Sequence, residues 1–334
     1  MTEHHEETFT TNLYIPPNYK SELPIRNTQI AVNNIKQKFS NSFSQKLCLT
    51  LVQAPLFVSA NSGMNDTLNG VEAPVSFHTN EFGDESMQIV QSLAKWKRIA
   101  LKEYGFSEGE GLYTNMYALR PSETTDNLHS VLVDQWDWEQ VIAPQDRTLE
   151  KLEDTVNKIY EAIKEIEDYT PHQILPPKVT FISSQELKAL YPNHSSKDRE
   201  YLFSKEKGAI FIEQIGGDNH ENRAPDYDDW ELNGDLIFYY PLLDTALEIS
   251  SMGIRVDKDS LLKQLKFSGR ESYATQDYHR QLLEGELPYT IGGGIGQSRL
   301  CMFLLNKAHI GEVQSSVWPK LVQKEAFSKN LFFL

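Results

Sequence analysis

The segment IGGGIGQSR, residues 291–299, decides how the rest of this sequence is interpreted. Its glycines let a backbone approach a ligand or a neighbouring strand closely, and the apolar spacing after Arg299 indicates a helix whose first turn could face an anion. The segment lacks the GKS or GKT ending of a P-loop and does not match the GxGxxG spacing cleanly. The guanidinium of Arg299 could bind a polyphosphate or stack on the face of a purine. Taken alone, the segment is equally compatible with glycines that pack a strand against a helix.

The bulk composition describes an acidic globular protein. The chain has 334 residues, 40% of them hydrophobic, and a formal net charge of −15. This length fits one large domain or two smaller ones. A charge of this sign gives no general attraction to phosphate backbones, so we expect no nucleic-acid partner.

Several features point to the cytoplasm. Cys48 and Cys301 form no CxxC motif and are expected to be free thiols in a reducing compartment. The N-terminus is acidic and polar, unlike a secretory signal. The best apolar run, residues 47–60, is broken by polar residues and Pro55 and is too short to span a bilayer. We therefore expect a cytoplasmic protein with no membrane partner.

The order of predicted elements favours an α+β fold. Apolar spacings of three and four predict helices over 27–47, 148–167, 258–267 and 273–284. Strand-like patterns cover 49–59, 128–142, 178–183, 209–214, 235–241 and 246–255. Because the strands come in clusters, we expect a mainly antiparallel sheet flanked by helices rather than a doubly wound parallel one. Residues 1–26 are expected to form an extension, and residues 27–334 a single catalytic domain.

Two further patterns suggest a polar site. Alternation along 128–142 places Gln135, Asp137 and Glu139 on one face of a strand and tryptophans on the other, which suits either a polar pocket or a solvated face. The 223–255 region offers several carboxylates, including Asp235 and Glu248. Mg²⁺ prefers carboxylates together with phosphate oxygens. Most of the 47 acidic residues must nevertheless be solvated.

Three segments together resemble the signature motifs of the class II aminoacyl-tRNA synthetases. The 27–47 helix with LTLVQAPLF resembles motif 1, ALRPSE with HSVLVDQW resembles motif 2, and GGGIGQSR resembles motif 3. Over nearly all of 27–320 the sequence resembles one family, the ammonia-dependent asparagine synthetases or aspartate–ammonia ligases, through SLAKWKR, EGLYTNMYALRP, HSVLVDQWDWE, RAPDYDDW, LNGD, SSMGIRVD and IGGGIGQSR. Gln91 departs from the family pattern, which has a histidine before SLAKWKR, and residues 1–26 are an unusually long lead.

The resemblance implies a class II synthetase-like catalytic core and a defined reaction. Aspartate, ATP and ammonia would give asparagine, AMP and pyrophosphate through a β-aspartyl-adenylate, with Mg²⁺ as cofactor. The motif 1 resemblance implies a homodimer that meets at the 27–47 helix and the strand through Pro55. An aspartyl- or asparaginyl-tRNA synthetase-like enzyme is the alternative, and a catalytically idle relative is a third interpretation. A glutamine-dependent enzyme is disfavoured, since position 2 is Thr2 and neither cysteine has an activating environment.

The resemblance also implies roles for individual residues. Arg120 would neutralise the α-phosphate, and Arg299 would hold the γ-phosphate or cover the adenine. The nucleotide would further contact Ser130, Ser250, Arg255, Gly294 and Gly296. Aspartate would be held by Ser92, Lys97, Gln135 and Asp137. Asp235 and Glu248 would bind Mg²⁺. Ammonium requires a carboxylate that attracts the cation and accepts a proton, and the candidates are Asp66 and Asp228.

Overall fold

The computed structural model describes residues 11–66, 68, 72–167, 175–217 and 223–334, and the structural statements below concern these residues. Their strands are β1 (Leu49–Leu51), β2 (Phe57–Ser59), β3 (Ser76–Phe77), β4 (Met87–Ile89), β5 (Gly111–Leu119), β6 (Leu132–Val141), β7 (Thr180–Ser183), β8 (Ala209–Glu213), β9 (Asp228–Tyr240), β10 (Thr245–Arg255) and β11 (Thr290–Gly296). Their α-helices are α1 (Ile25–Lys46), α2 (Ala94–Glu103), α3 (Leu149–Glu167), α4 (Ser184–Leu190), α5 (Ser196–Lys207), α6 (Lys258–Phe267), α7 (Asp277–Leu283), α8 (Gln297–Leu304) and α9 (Lys320–Ser328).

A large sheet forms the centre of the described fold. Eight strands follow the order β1-β5-β6-β11-β10-β9-β8-β7. The inner pairings are antiparallel, whereas the outermost pairs, β1 with β5 and β7 with β8, are parallel. Strands β2, β4 and β3 form a separate small antiparallel sheet. The expected α+β fold with a mainly antiparallel sheet is confirmed.

One face of the large sheet carries the main hydrophobic core. Helix α1 packs against α3 and α8, and its Phe39 and Phe43 are fully buried. The Phe39 ring lies 4.5 Å from the ring of Trp136 in β6, and Trp138 lies in the same core. Burying such side chains contributes about 1.5–3 kcal/mol each. The predicted alternation in this strand is therefore confirmed, with the tryptophans on the core side.

Helix predictions were mostly correct in position. The helices expected over 27–47, 148–167 and 258–267 correspond to α1, α3 and α6. The segment 273–284 instead begins with a 3-10 turn (Glu271–Thr275) before α7, and α2, α4, α5 and α9 were not predicted. Of the described helices, none is long and apolar enough to cross a membrane.

The continuous strand expected over 49–59 is wrong. Strand β1 ends at Leu51 in the large sheet, and β2 starts at Phe57 in the small sheet. Pro55 lies in the connection between them. Because proline has no N–H to donate to a strand ladder, the chain leaves the sheet here. Strand β1, which ends before this proline, lies at the edge of the large sheet. Proline near an edge strand interrupts no pairing inside the sheet.

The glycines of residues 291–299 form a strand rather than a loop. Strand β11 lies between β6 and β10, and α8 follows directly. A Cβ atom on Gly292 would overlap the Glu139 carboxylate, and one on Gly293 would lie 2.5 Å from Met252 Cβ. The glycines therefore leave room for side chains of the neighbouring strands on both faces of the sheet.

We expect Gly292→Ala to lower the free energy of unfolding by about 3–5 kcal/mol, because the new methyl group displaces Glu139 from its buried ion pair. Gly105→Ala is the control. Its methyl group meets no atom within 4 Å, but its φ of +73° imposes a strain of about 1–2 kcal/mol. Urea denaturation followed by tryptophan fluorescence measures both variants. Equal losses would contradict the close-packing explanation.

Candidate active site

A cleft of about 340 Å³ opens beside β6, β10 and β11. The loop between β5 and β6, the start of α8 and the segment around Ile310 complete its walls. Among the residues predicted from the sequence, the cleft is lined by Arg120, Ser130, Gln135, Glu248, Gly294, Gly296 and Arg299. The other predicted residues are not part of this lining: Asp66, Ser92, Lys97, Asp137, Asp228, Asp235, Ser250 and Arg255.

Gln135 and Gly294 form the floor of the cleft. They belong to neighbouring strands, and Gly294 pairs with Asp137 in the ladder between β6 and β11. A Cβ atom on Gly294 would lie 2.7 Å from Gln135 Cδ, so the glycine is what lets the glutamine side chain lie across the strand. Ser250 Oγ donates to the Gly294 carbonyl oxygen at 2.9 Å from the other side. The floor therefore presents an amide side chain against exposed backbone.

Two arginines flank this floor. Arg120 follows β5, and its Nε is buried without a hydrogen-bond partner among the described residues. Arg299 lies in the first turn of α8, where its Nη1 donates to the Glu248 carbonyl oxygen at 3.0 Å and is 3.6 Å from Glu248 Oε1. Because one guanidinium nitrogen lacks a partner and the other arginine is only partly engaged, both can bind an anion in the cleft.

The start of α8 is fixed by Asp134, a residue that the sequence did not single out. Its carboxylate accepts from Ser298 N–H at 3.1 Å and from Ser298 Oγ at 2.7 Å. Lys36 of α1 donates to the same carboxylate at 3.1 Å. A carboxylate at a helix N-terminus is stabilising because the first N–H groups have no partner within the helix. Asp134 thereby holds the turn that carries Arg299.

A buried layer of charges lies beside the cleft floor, on the same face of the sheet, where α2 packs on β6, and we call it the charge layer: Lys97, Asp137, Glu139, Asp228 and Arg255. Lys97 Nζ contacts Asp137, lies 3.6 Å from Glu139 Oε2 and donates to backbone carbonyl oxygens. Arg255 Nη2 lies 2.7 Å from Glu139 Oε2, and Arg255 also pairs with Asp228. Desolvation raises the pKa of Asp137 and Asp228, although the neighbouring cations oppose it.

The charge layer is unbalanced. When ionised, these five described side chains carry three negative and two positive charges. A desolvated excess of negative charge attracts a cation strongly, since the surroundings screen it little. In contrast, the guanidinium of Arg255 is fully engaged by carboxylates within the layer. The structure therefore places Arg255 and Asp228 in the charge layer rather than in the wall of the cleft.

Glu248 and Asp235 are placed on adjacent strands, β10 and β9. Desolvation opposes ionisation of Glu248, but Arg299, Arg223 and Arg120 hold its pKa below the usual range. Asp235 pairs with Arg223 and lies opposite Ser251, a cleft residue. The described residues contain no cluster of three or more His, Cys, Asp or Glu side chains that could hold a metal by themselves. The donor set fits Mg²⁺, which usually takes one or two carboxylates and completes its shell with phosphate and water.

Asp66 lies on a short turn next to the cleft residue Leu68. Desolvation raises its pKa to about 6, against the opposing effect of Lys95 and Arg120. Its Oδ1 accepts from Leu68 N–H at 2.9 Å, whereas Oδ2 is buried without a hydrogen-bond partner among the described residues. Gln91 supports this turn, since its Nε2 donates to the Asp66 carbonyl oxygen at 3.2 Å. Asp66 is thus a buried carboxyl group that changes charge just below neutral pH.

Sequence reasoning missed the ion pairs behind Asp66. Lys95 Nζ donates to Asp226 Oδ2 at 2.9 Å, and His279 Nε2 lies 2.9 Å from the same oxygen. Lys95 belongs to SLAKWKR and Asp226 to RAPDYDDW, so both lie in segments that carried the resemblance. His279 belongs to α7, far along the chain, and no local pattern indicated it. Similarly, Ser92 Oγ accepts from the N–H of Ala94, the first residue of α2, at 3.2 Å, and Ser130 Oγ lies 2.8 Å from Ser316 Oγ, contacts that no spacing could predict.

Comparison with known proteins identifies the family. The family model described as aspartate-ammonia ligase matches residues 26–330. The aspartate–ammonia ligase of Clostridium perfringens (strain SM101 / Type A) is 54% identical over 96% of this chain and 99% of its own. That of Ruminiclostridium cellulolyticum is 52% identical over 97% of this chain and 99% of its own.

Solved structures show the fold. Asparaginyl-tRNA synthetase of Entamoeba histolytica, in complex with asparaginyl-adenylate, matches with a TM-score of 0.62 at 16% identity, over 87% of this chain and 66% of the synthetase chain. The corresponding complex from Pyrococcus horikoshii matches with a TM-score of 0.62 at 17% identity, over 88% of this chain and 71% of its own. The expected class II synthetase-like core is confirmed. On the family match and the near full-length identity, the chain belongs to the aspartate–ammonia ligase family.

Proposed function

We propose that this enzyme makes L-asparagine from L-aspartate and free ammonia at the cleft beside β11, using ATP to activate the β-carboxylate. Family membership supports the overall reaction. The single structural observation that carries the proposal is the cleft itself, in which Arg120 and Arg299 flank a floor of Gln135 and Gly294 beside the charge layer. This arrangement combines anion binding with recognition of a small charged amino acid.

Activation must come first, because a carboxylate is a poor electrophile. In the first step a β-carboxylate oxygen of aspartate attacks the α-phosphorus of ATP, and the bond to the departing pyrophosphate breaks. Arg120, with its unpartnered Nε, stabilises the negative charge that develops on the phosphorus oxygens. Arg299 holds the outer phosphates or covers the adenine, on a helix start that Asp134 has already fixed. Gly294 and Gly296 let the nucleotide approach the backbone, and Ser130 and Ser250 are further candidate contacts.

Aspartate is recognised by its charges. The α-ammonium group binds Asp137, where it compensates the excess negative charge of the charge layer. Gln135 donates its amide to a substrate carboxylate at the floor of the cleft. Lys97 holds Asp137 in place, Arg255 and Lys97 lower the pKa of Glu139 against its desolvation, and Ser92 supports the start of the helix that carries Lys97.

Glu248 and Asp235 would hold Mg²⁺, which supplies neutralisation of phosphate charge when it is bound with ATP. Glu248 is suited to this role because the surrounding arginines keep it ionised. Arg299, which lies 3.6 Å from the Glu248 carboxylate, would also bind the phosphates, and this would leave the carboxylate available to hold Mg²⁺.

The second step needs ammonia beside the acyl carbon. Asp66 attracts ammonium as a carboxylate and accepts one proton, after which the nitrogen attacks the carbonyl carbon and the bond to AMP breaks. Its pKa near 6 makes it ionised at neutral pH yet able to hold a proton briefly. Asp228 is the second candidate. Its contact with Arg255 makes it a weaker base, because releasing the guanidinium would leave a buried charge unpaired.

The tRNA synthetase alternative is supported as a fold only, since the identities with those chains are 15–17%. The acidic net charge also gives no general attraction to RNA. We further propose a cytoplasmic homodimer that meets along α1 and the β1 edge, where Leu51 and Leu56 are about half exposed. Covering such an edge strand would remove its unpaired backbone groups from solvent.

The choice of nitrogen donor tests the proposed function directly. Protein, ATP, Mg²⁺ and aspartate are mixed with ammonium, with glutamine or with tRNA, and AMP and asparagine are measured. We expect equal amounts of AMP and asparagine with ammonium, and none with glutamine alone. Aminoacylated tRNA without free asparagine would overturn the proposal.

Arg120→Ala should slow the first half-reaction by about 10²–10³-fold, as the loss of one donor to a developing charge does. The measurement is aspartate-dependent exchange of pyrophosphate into ATP, which needs no ammonia. Arg280→Ala is the matched control, because Arg280 is a surface residue paired with Asp277. Exchange at the wild-type rate in Arg120→Ala would remove Arg120 from the chemistry.

Asp66→Asn should separate the two half-reactions. We expect the ammonium KM to rise about 10–100-fold while pyrophosphate exchange stays within a factor of three. In the wild type the ammonium-dependent rate should rise with pH through about 6, because only the ionised carboxyl attracts the cation, and this limb should vanish in the variant. Asp228→Asn is measured alongside. If it alone raises the ammonium KM, Asp228 is the ammonium residue and the assignment of Asp66 fails.

A further inference from the structure

The N-terminal segment of the described chain, residues 11–24, is attached to the loop that forms one wall of the cleft. Asn127 of that loop pairs with the backbone of Tyr14 in both directions. Tyr14 N–H donates to Asn127 Oδ1 at 2.8 Å, and Asn127 Nδ2 donates to the Tyr14 carbonyl oxygen at 2.5 Å. The Asn127 side-chain amide therefore pairs with both backbone groups of Tyr14, as a neighbouring strand would.

Asn127 also joins a second wall of the cleft. Its Nδ2 donates to the Ala308 carbonyl oxygen at 2.6 Å, and its own carbonyl oxygen accepts from Ile310 N–H at 2.8 Å. The side chain is only 6% exposed, and its amide oxygen and nitrogen are both used. A buried amide with such complete pairing fixes its surroundings, since each lost bond would leave a desolvated polar group.

The residues on either side of Asn127 belong to the cleft. Arg120, Glu123, Leu128, His129 and Ser130 all line it from the loop over 120–131, and Ile310 lines it from the other wall. This loop is a long connection between β5 and β6. Its own backbone bonds close its base, from Arg120 N–H to Val131, and two short turns, from Glu123 N–H to Arg120 and from Asp126 N–H to His129. The contacts of Asn127 add links from this loop to other parts of the chain.

The N-terminal segment is itself firmly attached. Tyr19 O–H contacts both carboxylate oxygens of Glu312, at 2.9 and 3.0 Å. Its apolar side chains, Leu13, Ile15 and Tyr19, pack against the buried cluster of Ala308, Ala326 and Leu331. The segment is thus anchored on the C-terminal part of the chain and is bonded to the loop through Asn127.

We propose that the N-terminal segment, residues 11–24, holds the 120–131 loop in the conformation that binds ATP, and we call this segment the clamp. Asn127 is the positioning residue through which the clamp acts on the loop. The inference rests on the proposed function, because it assigns ATP to this cleft. A loop ordered beforehand loses less conformational freedom when the nucleotide binds. The clamp acts on Arg120 and Ser130 and does not touch the charge layer, so it affects ATP and leaves aspartate recognition intact.

Two substitutions at one position provide the test. Tyr14→Pro removes the N–H that donates to Asn127, whereas Tyr14→Ala keeps both backbone bonds and removes only a side chain that is 53% exposed. We expect Tyr14→Pro to raise the ATP KM about tenfold, with the aspartate KM within a factor of two. Tyr14→Ala should stay within a factor of two for both substrates. Asn127→Ala, which removes all three side-chain bonds, should raise the ATP KM further, by about 10–100-fold.

Hydrogen exchange provides a second measurement that does not depend on activity. Peptides covering 120–131 should exchange faster in Tyr14→Pro and Asn127→Ala than in the wild type, and adding ATP should restore part of the protection. An unchanged ATP KM together with unchanged exchange overturns the clamp. Equal rises in the ATP and aspartate KM, with a lowered Tm, also overturn it, because they indicate general destabilisation. If the wild type makes no asparagine, the proposed function fails, while exchange of the loop still decides whether the segment orders it.

Discussion

The charge layer beside the cleft floor is the constraint on which the rest of this site depends. Lys97 and Arg255 are buried with Asp137, Glu139 and Asp228, and desolvated charges of this kind are tolerated only when they are paired. The pairs join strands β6, β9 and β10 and helix α2, so the register of these strands cannot shift without separating them. The glycines of β11 follow from the same constraint, because any side chain at 292 would occupy the space of Glu139.

The functional groups around this layer differ in their exposure to solvent. Beside the floor, the carboxylates and cations of the charge layer are buried and serve as support. At the floor, Gln135 is presented beside backbone, and at the rim Arg120, Arg299 and Glu248 remain at least partly open to solvent. A negatively charged nucleotide can therefore enter against the arginines while the ammonium of aspartate meets the excess negative charge of the charge layer. Burial thus separates the two recognition tasks within a single cleft.

The elements with strong local patterns were predictable. The periodicities of α1, α3 and β6 placed phenylalanines and tryptophans on one side, and the core confirms that placement. The break after Leu51 was not predicted, since an apolar run continues through Pro55 and only the partner strands reveal that it serves two sheets. Asp134, Glu139 and His279 were likewise not selected, because their partners lie in distant segments of the chain, as Ser298, Arg255 and Asp226 show.

By itself, the sequence determined the fold class, the family and the set of residue types available for the chemistry. These depend on local periodicity and on short contiguous sequence motifs. Tertiary structure alone decided which of those residues face the cleft and which support it. Arg255 and Arg299 illustrate the difference: one ends β10 and the other lies just after β11, yet Arg255 is surrounded by carboxylates and Arg299 opens onto the cleft. Charge compensation depends on distances across strands, and no single segment of sequence contains that information.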